Sequence, residues 1–101
     1  MLPHETITSV INSAKEAKGI ALIPFITAGY PDKENFVETL SLISQVGDVV
    51  EIGVPFSDPM ADGMTIQRSS YKAIQAGVTL QWIFEQLNLI KDQISAPLVM
   101  M

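Results

Sequence analysis

The sequence predicts an α/β fold built on parallel strands, and three observations predict it. Short, continuous apolar runs lie at residues 20–26 and 98–101, and a third apolar strand, 48–53, is interrupted by Glu51. The stretches between them repeat their apolar residues every three or four positions, the spacing of helices lying on a sheet. The first strand, helix and second strand fit within about 35 residues, the size of a parallel crossover unit.

Taken in order, residues 5–18 read as a helix, with Ile7, Val10, Ile11, Ala14 and Ala17 on one stripe and Gly19 stopping it. His4, the only histidine, precedes that helix and reads as a solvated terminal residue. The run 20–26 reads as a strand covered on both faces, although Pro24 lacks a ladder donor and predicts a bulge or an early strand end there. A turn follows at 27–32, with Asp32 as N-cap of a helix over 33–46. In that helix Phe36, Leu40 and Ile43 share one face, Val37 lies beside them, and Gly47 ends it. The second strand is 48–53. Residues 65–76 predict a helix with Ile66, Ser70, Ala73 and Ile74 inward, closed by Gly77. Thr79 caps a last helix whose Ile83, Phe84, Leu87 and Ile90, with Trp82 beside them, are spaced for packing on a sheet. The third strand is 98–101.

Composition bounds the function. The 101 residues make at most one domain. A hydrophobic content of 48% against 17% charged residues excludes disorder, and no apolar run approaches the roughly 20 residues of a membrane span. A net charge of -5, with six Lys and Arg and none clustered, argues against nucleic acid and anionic membranes. With no cysteine and no secretion signal at the amino terminus, the expected location is the cytoplasm.

The chemistry concentrates at 49–63, where an apolar strand is interrupted by Glu51 and runs into an acidic, proline-bounded loop. Val49, Val50, Ile52, Val54 and Phe56 flank Glu51 closely, so a core strand would place its charge where burial disfavours it. The plain alternative is a half-exposed Glu or a structural ion pair. Gly53 and Pro55 nevertheless stop the strand just after Glu51, which puts the carboxyl at the strand's carboxyl end, where β/α barrels carry their active sites. Asp62, taken alone, reads as a helix cap, and Asp58 as a turn-former. Glu51, Asp58 and Asp62 together would suit Mg2+ if they converged, but one strand residue and two loop residues need not, and no metal is expected.

The segments Pro24-Phe25-Ile26-Thr27-Ala28-Gly29-Tyr30-Pro31, Glu51-Ile52-Gly53-Val54-Pro55-Phe56-Ser57-Asp58-Pro59-Met60-Ala61-Asp62-Gly63, Ile66-Gln67 and Ala76-Gly77-Val78-Thr79 closely resemble the tryptophan synthase alpha subunit family, from about residue 5 to residue 101. The resemblance implies a partial TIM (β/α)8 barrel: an initial helix, two strand-helix pairs and the third strand, as the amino-terminal part of a single domain interrupted in that strand. A complete barrel takes about 250 residues. It also implies the reversible retro-aldol cleavage of indole-3-glycerol phosphate to indole and glyceraldehyde 3-phosphate, with no cofactor or metal.

By the same resemblance, Glu51 does the acid-base work, and a carboxyl half-withdrawn from water keeps a proton readily enough to donate as well as accept. Asp62 hydrogen-bonds the indole N–H and stabilises the positive charge that builds there. Phe25 and Met101 line the indole pocket, a role compatible with ordinary core packing. Asp58, Pro59 and Met60 lie on the loop that touches the beta subunit of an alpha2beta2 assembly. Gln67 and Tyr71 carry no assigned role. The sequence departs from the pattern at Met64, where the family has proline, so the helix loses a residue preset for its first turn. The family's phosphate-binding loops come late in the barrel, beyond these residues. An inactive fragment, acting at most as a folding or interaction module, is therefore the alternative reading.

Overall fold

The computed structural model describes residues 3–55 and 63–101, with residues 3–5 as backbone only. Its elements are α1 (Pro3–Lys18), β1 (Phe25–Thr27), α2 (Lys33–Val46), β2 (Val50–Gly53), α3 (Met64–Gln75), α4 (Leu80–Ile90) and β3 (Leu98–Met100). The three strands form one parallel sheet in the order β1-β2-β3. Phe25 lies beside Glu51 and Glu51 beside Val99, while Ile26 lies beside Ile52 and Ile52 beside Met100.

Side chains alternate across a strand, so this register splits the sheet into two unlike faces. Ile26, Ala28, Val50 and Ile52 are buried on one face, with Leu98 and Met100 packed against them. Phe36 and Leu40 of α2 and Ile83 and Ile90 of α4 complete that core. Burying each such Ile, Leu or Phe contributes about 1.5–3 kcal/mol, which makes this face the main source of stability. At its margin Trp82 tilts against Phe36, with ring centroids 5.6 Å apart, and Lys33 Nζ lies 5.4 Å from the Trp82 ring centroid.

The expected caps form. Asp32 Oδ1 accepts from the Asn35 backbone N–H at 2.8 Å, and Thr79 Oγ1 from the Trp82 N–H at 3.1 Å. Gly47 does end α2, but with φ -78° and ψ 150° it uses no left-handed conformation. Its requirement is space: a Cβ there would meet the Pro24 ring at 2.6 Å.

Three expectations need correction. The run 20–26 is not a strand covered on both faces. Regular strand begins only at Phe25, and Ile20, Leu22 and Ile23 are exposed. Pro24 has no N–H to donate, so pairing before Phe25 runs one way, with Leu22 O accepting from Asp48 N–H and Pro24 O from Glu51 N–H. Phe84 is 53% exposed rather than packed on the sheet. Ile83, Leu87 and Ile90 follow the four- and three-residue spacing of one stripe, whereas Phe84 is turned about 100° from Ile83 and shares its flank with Leu80, one helical turn away. Ala17 is likewise exposed, and the α1 stripe is buried deepest at Ala14.

Asp48 joins three segments. It accepts from the Leu22 backbone N–H at 2.8 Å and pairs with Lys18 Nζ at 2.8 Å, tying the end of α1 and the approach to β1 to the start of β2. The Leu22 N–H first, and then the Lys18 ammonium, hold its carboxyl below the ordinary carboxylate range. The Asn35 side-chain amide and backbone N–H do the same for Asp32.

A lowered folded-state value means that stabilisation is fully present above the unfolded value of 3.8 and disappears as pH falls through the folded values. Asp48→Asn should therefore destabilise the protein at neutral pH and flatten its loss of stability as pH falls below about 4; an unchanged acid limb in urea titrations would contradict this. Gly29 has φ +79°, and a Cβ on it would lie 2.3 Å from Val78 Cγ2, which is buried. Gly29→Ala should cost about 2–4 kcal/mol by adding backbone strain to overpacking, measurable as a lowered denaturation midpoint.

Candidate active site

The second face of the sheet carries Phe25 and Thr27 from β1, Glu51 and Gly53 from β2, and Val99 from β3. Met101 continues this face. Its N–H donates to Ile52 O at 2.9 Å and its carbonyl accepts from Val54 N–H at 2.7 Å, keeping it in register beside Gly53. Phe25, Glu51 and Met101, singled out from the sequence, thus stand on one face of three adjacent strands, Phe25 opening β1 beside Glu51 and Met101 following β3 beside Gly53. Glu51 is partly buried, Phe25 is 37% exposed and Met101 60% exposed. Glu51 sits on the only strand with neighbours on both sides among the described residues, so its backbone is fixed from two directions.

Gly53 explains the position of Phe25. A Cβ at Gly53 would lie 2.4 Å from Phe25 Cζ and 2.9 Å from Cε2, so the ring lies across the glycine and above the end of β2. Space is what the glycine supplies, in keeping with a strand glycine marking close approach by another group.

Asp62, Asp58, Pro59 and Met60 lie outside the described residues, as does the His4 side chain. The N-cap of α3 is Gly63, with no side-chain hydrogen bond at the cap, and Met64 takes the first helical position. Tyr71 is exposed and accepts from Gln75 Nε2 at 2.9 Å. No three His, Cys, Asp or Glu side chains gather as a metal site among the described residues. Nor is any described helix long and apolar enough to cross a membrane.

The sequence reading missed a polar link between this face and α3. Thr27 and Ser69 are buried and their hydroxyl oxygens lie 2.7 Å apart. Expected inward residues Ser70 and Ala73 are buried, but Ile66 and Ile74 are only partly so, and Ser69 takes a place in the contact. Beside this link a cleft of about 530 Å³ opens between β1 and α3, with Phe25 and Tyr30 on one side and Arg68 and Lys72 on the other. A hydroxyl at the carboxyl end of a strand was the available signal for Thr27; Ser69 gives no sequence signal apart from its helical phase.

A partly buried carboxylate on the middle strand of a parallel β/α sheet, on the face opposite the helix-covered core, is the layout of the β/α-barrel class. The family profile described as tryptophan synthase alpha chain matches residues 11–101. The tryptophan synthase alpha chain of Nitratidesulfovibrio vulgaris is 47% identical over 92 residues, covering 90% of this chain and 36% of that protein. That of Solidesulfovibrio magneticus is 44% identical over 101 residues, covering 99% and 40%. Among solved structures, tryptophan synthase from Mycobacterium tuberculosis superposes with a TM-score of 0.83 at 31% identity, over 94% of this chain and 38% of that one. The Pyrococcus furiosus a2b2 complex gives 0.74 at 41% identity, over 80% and 35%. The chain belongs to the tryptophan synthase alpha chain family. Its architecture is a partial TIM barrel, and it spans about two-fifths of the length of these relatives.

Gly53→Ala should leave the strands in place and force the Phe25 ring into another rotamer, because the clash falls on the tip of a side chain. Altered ring resonances of Phe25 by NMR, with the backbone shifts of β2 retained, are the expected result; unchanged ring resonances would contradict it.

Proposed function

We propose that the full-length protein containing these residues is a lyase of tryptophan biosynthesis that reversibly cleaves indole-3-glycerol phosphate to indole and glyceraldehyde 3-phosphate. In this reading the present residues are the amino-terminal part of one barrel domain. The observation that carries it is Glu51, on the central strand of the described sheet, on the same face as Phe25 and Met101.

The chemistry needs few groups. A proton is delivered to indole C3 and another is removed from the glycerol hydroxyl as the carbon–carbon bond breaks. In this reading the Glu51 carboxyl serves both transfers, as donor in one and acceptor in the other. Protonation at C3 builds positive charge on the indole nitrogen, and the Asp62 carboxylate, accepting the indole N–H, stabilises that charge as it develops. Phe25 and Met101 offer apolar surface to the ring. No metal or cofactor is required by these steps.

The likeness to the P. furiosus a2b2 complex supports assembly with a tryptophan synthase beta subunit; in the same reading Asp58, Pro59 and Met60 contact it and the assembly is cytoplasmic. For the 101-residue chain by itself, exposed Ile20, Leu22 and Ile23 in the segment leading into edge strand β1 favour a second reading, an inactive folding or interaction module. Glu51-dependent indole release by the purified 101-residue chain would overturn that second reading.

In the full-length protein, Glu51→Gln should lower indole release by at least about 100-fold, the usual scale of lost acid-base catalysis. A variant with near wild-type turnover would sink the proposed chemistry.

A further inference from the structure

We propose that the flank of α4 carrying Leu80 and Phe84 is the seat of the helix that follows β3 in the full-length protein. The inference rests on the reading that these residues are the amino-terminal part of one barrel domain, and not on the chemistry assigned to it.

Successive residues of an α-helix are turned by about 100°, so Trp82 and Phe84 leave α4 on opposite sides of the buried Ile83. The Trp82 side is occupied: its ring lies against Phe36 of α2 and beside Lys33 Nζ. On the other side Leu80 and Phe84, one helical turn apart, are half-exposed. With Gln81, Glu85 and Asn88 they line an open groove of about 600 Å³. Two large apolar side chains with polar residues along their outer margin suit the apolar stripe of an amphipathic helix, packed with its axis about 8–10 Å away.

Topology says which helix. The strands are parallel and step in the order β1-β2-β3, while α2 and α4 pack on the same face of the sheet. Right-handed crossovers therefore add one helix after another on that face, in strand order. The described sheet ends at β3. A strand added beside β3 would bring its helix down on the flank of α4 turned away from α2, where Leu80 and Phe84 stand. The N. vulgaris and S. magneticus alpha chains, of which this chain covers 36% and 40%, have ample length for that unit. A second copy or a beta subunit would have to displace that helix to reach the same flank.

The test places single cysteines in the full-length protein, with any cysteine outside these residues changed to serine, since residues 1–101 contain none. Leu80→Cys and Phe84→Cys are compared with Glu85→Cys, an exposed position on the outer side of α4, by their rates of reaction with a soluble maleimide under native conditions. The thiols of Leu80→Cys and Phe84→Cys should react at least about 10-fold more slowly, at every protein concentration and without the beta subunit. Phe84→Ala should lower the melting temperature by at least about 5 °C, and Glu85→Ala by less than about 2 °C. Equal rates at all three positions, in a protein that keeps Glu51-dependent indole release, overturn the seat and leave the proposed reaction standing. Slow thiols at 80 and 84 in a protein without indole release uphold the seat and overturn the reaction. Protection that vanishes on dilution assigns the flank to a second copy, protection that needs the beta subunit assigns it to that partner, and either overturns the proposal. A native chain of only these 101 residues overturns the seat and the single-domain reading together.

Discussion

The alternation of side chains along β2 is the constraint on which the rest of the structure depends. Val50 and Ile52 point into the helix-covered core and are completely buried, while Glu51 between them points to the other face. A slip of one residue in pairing would exchange these roles, burying a carboxylate against Phe36 and Leu40 and exposing two aliphatic side chains. The burial of Val50 and Ile52 therefore fixes the direction of Glu51. The same parity applies to the neighbouring strands, so Phe25 and Met101 stand on the Glu51 face because Ile26 and Met100 belong to the core. Stability and candidate chemistry are thus set by one register, and the site needs no separate device to orient its central carboxyl.

Helix placement follows from that core face. Phe36 and Leu40 bring α2 onto the sheet, and Ile83 and Ile90 do the same for α4. The ends of these helices are held by short-range chemistry written into the chain: Asp32 and Thr79 cap the starts, and the Pro24 ring closes over Gly47 at the end of α2. Asp48 adds a long-range clasp through Leu22 and Lys18, which holds the amino-terminal side of the sheet opposite to the candidate site. Ion pairs this exposed contribute little individually. The backbone N–H of Leu22 makes this one more than a surface contact.

Much of this was legible in the chain because local rules and tertiary packing agree. The helix over 33–46, its Asp32 cap, the Thr79 cap and the placement of Glu51 at a strand end follow from periodicity and stop signals, and nothing in the packing opposes them. The failures come where a residue's partner lies far away in sequence. Residues 20–23 read as a buried strand from apolar content alone, but burial on both faces requires neighbours on both sides, and β1 is an edge of the described sheet. Phe84 satisfied a loose apolar spacing while standing one position off the buried stripe. Ser69 was invisible because a serine in a helix has no signal for an acceptor role 42 residues from its partner. The roles of Asp62 and of the segment 58–60 came from motif likeness rather than from spacing, since a loop carboxylate has no periodicity to betray its direction.

The contrast between α3 and its neighbours gives the last step. Helices α2 and α4 each bury large apolar side chains and carry side-chain caps, whereas α3 buries two serines and an alanine, has glycine at its N-cap, and begins with Met64 instead of a residue whose φ is preset. An element held so lightly can be moved by small changes in its contacts, and native proteins draw the parts that close over ligands from this low-stability class. Low anchoring energy is also what makes a single buried hydroxyl pair matter, because a hydrogen bond worth about 1 kcal/mol is negligible beside the burial of Phe36 but substantial beside that of Ala73. The polar contact of α3 through Thr27 and Ser69 thus contrasts with the hold on the strand that carries Glu51, which is paired on both sides.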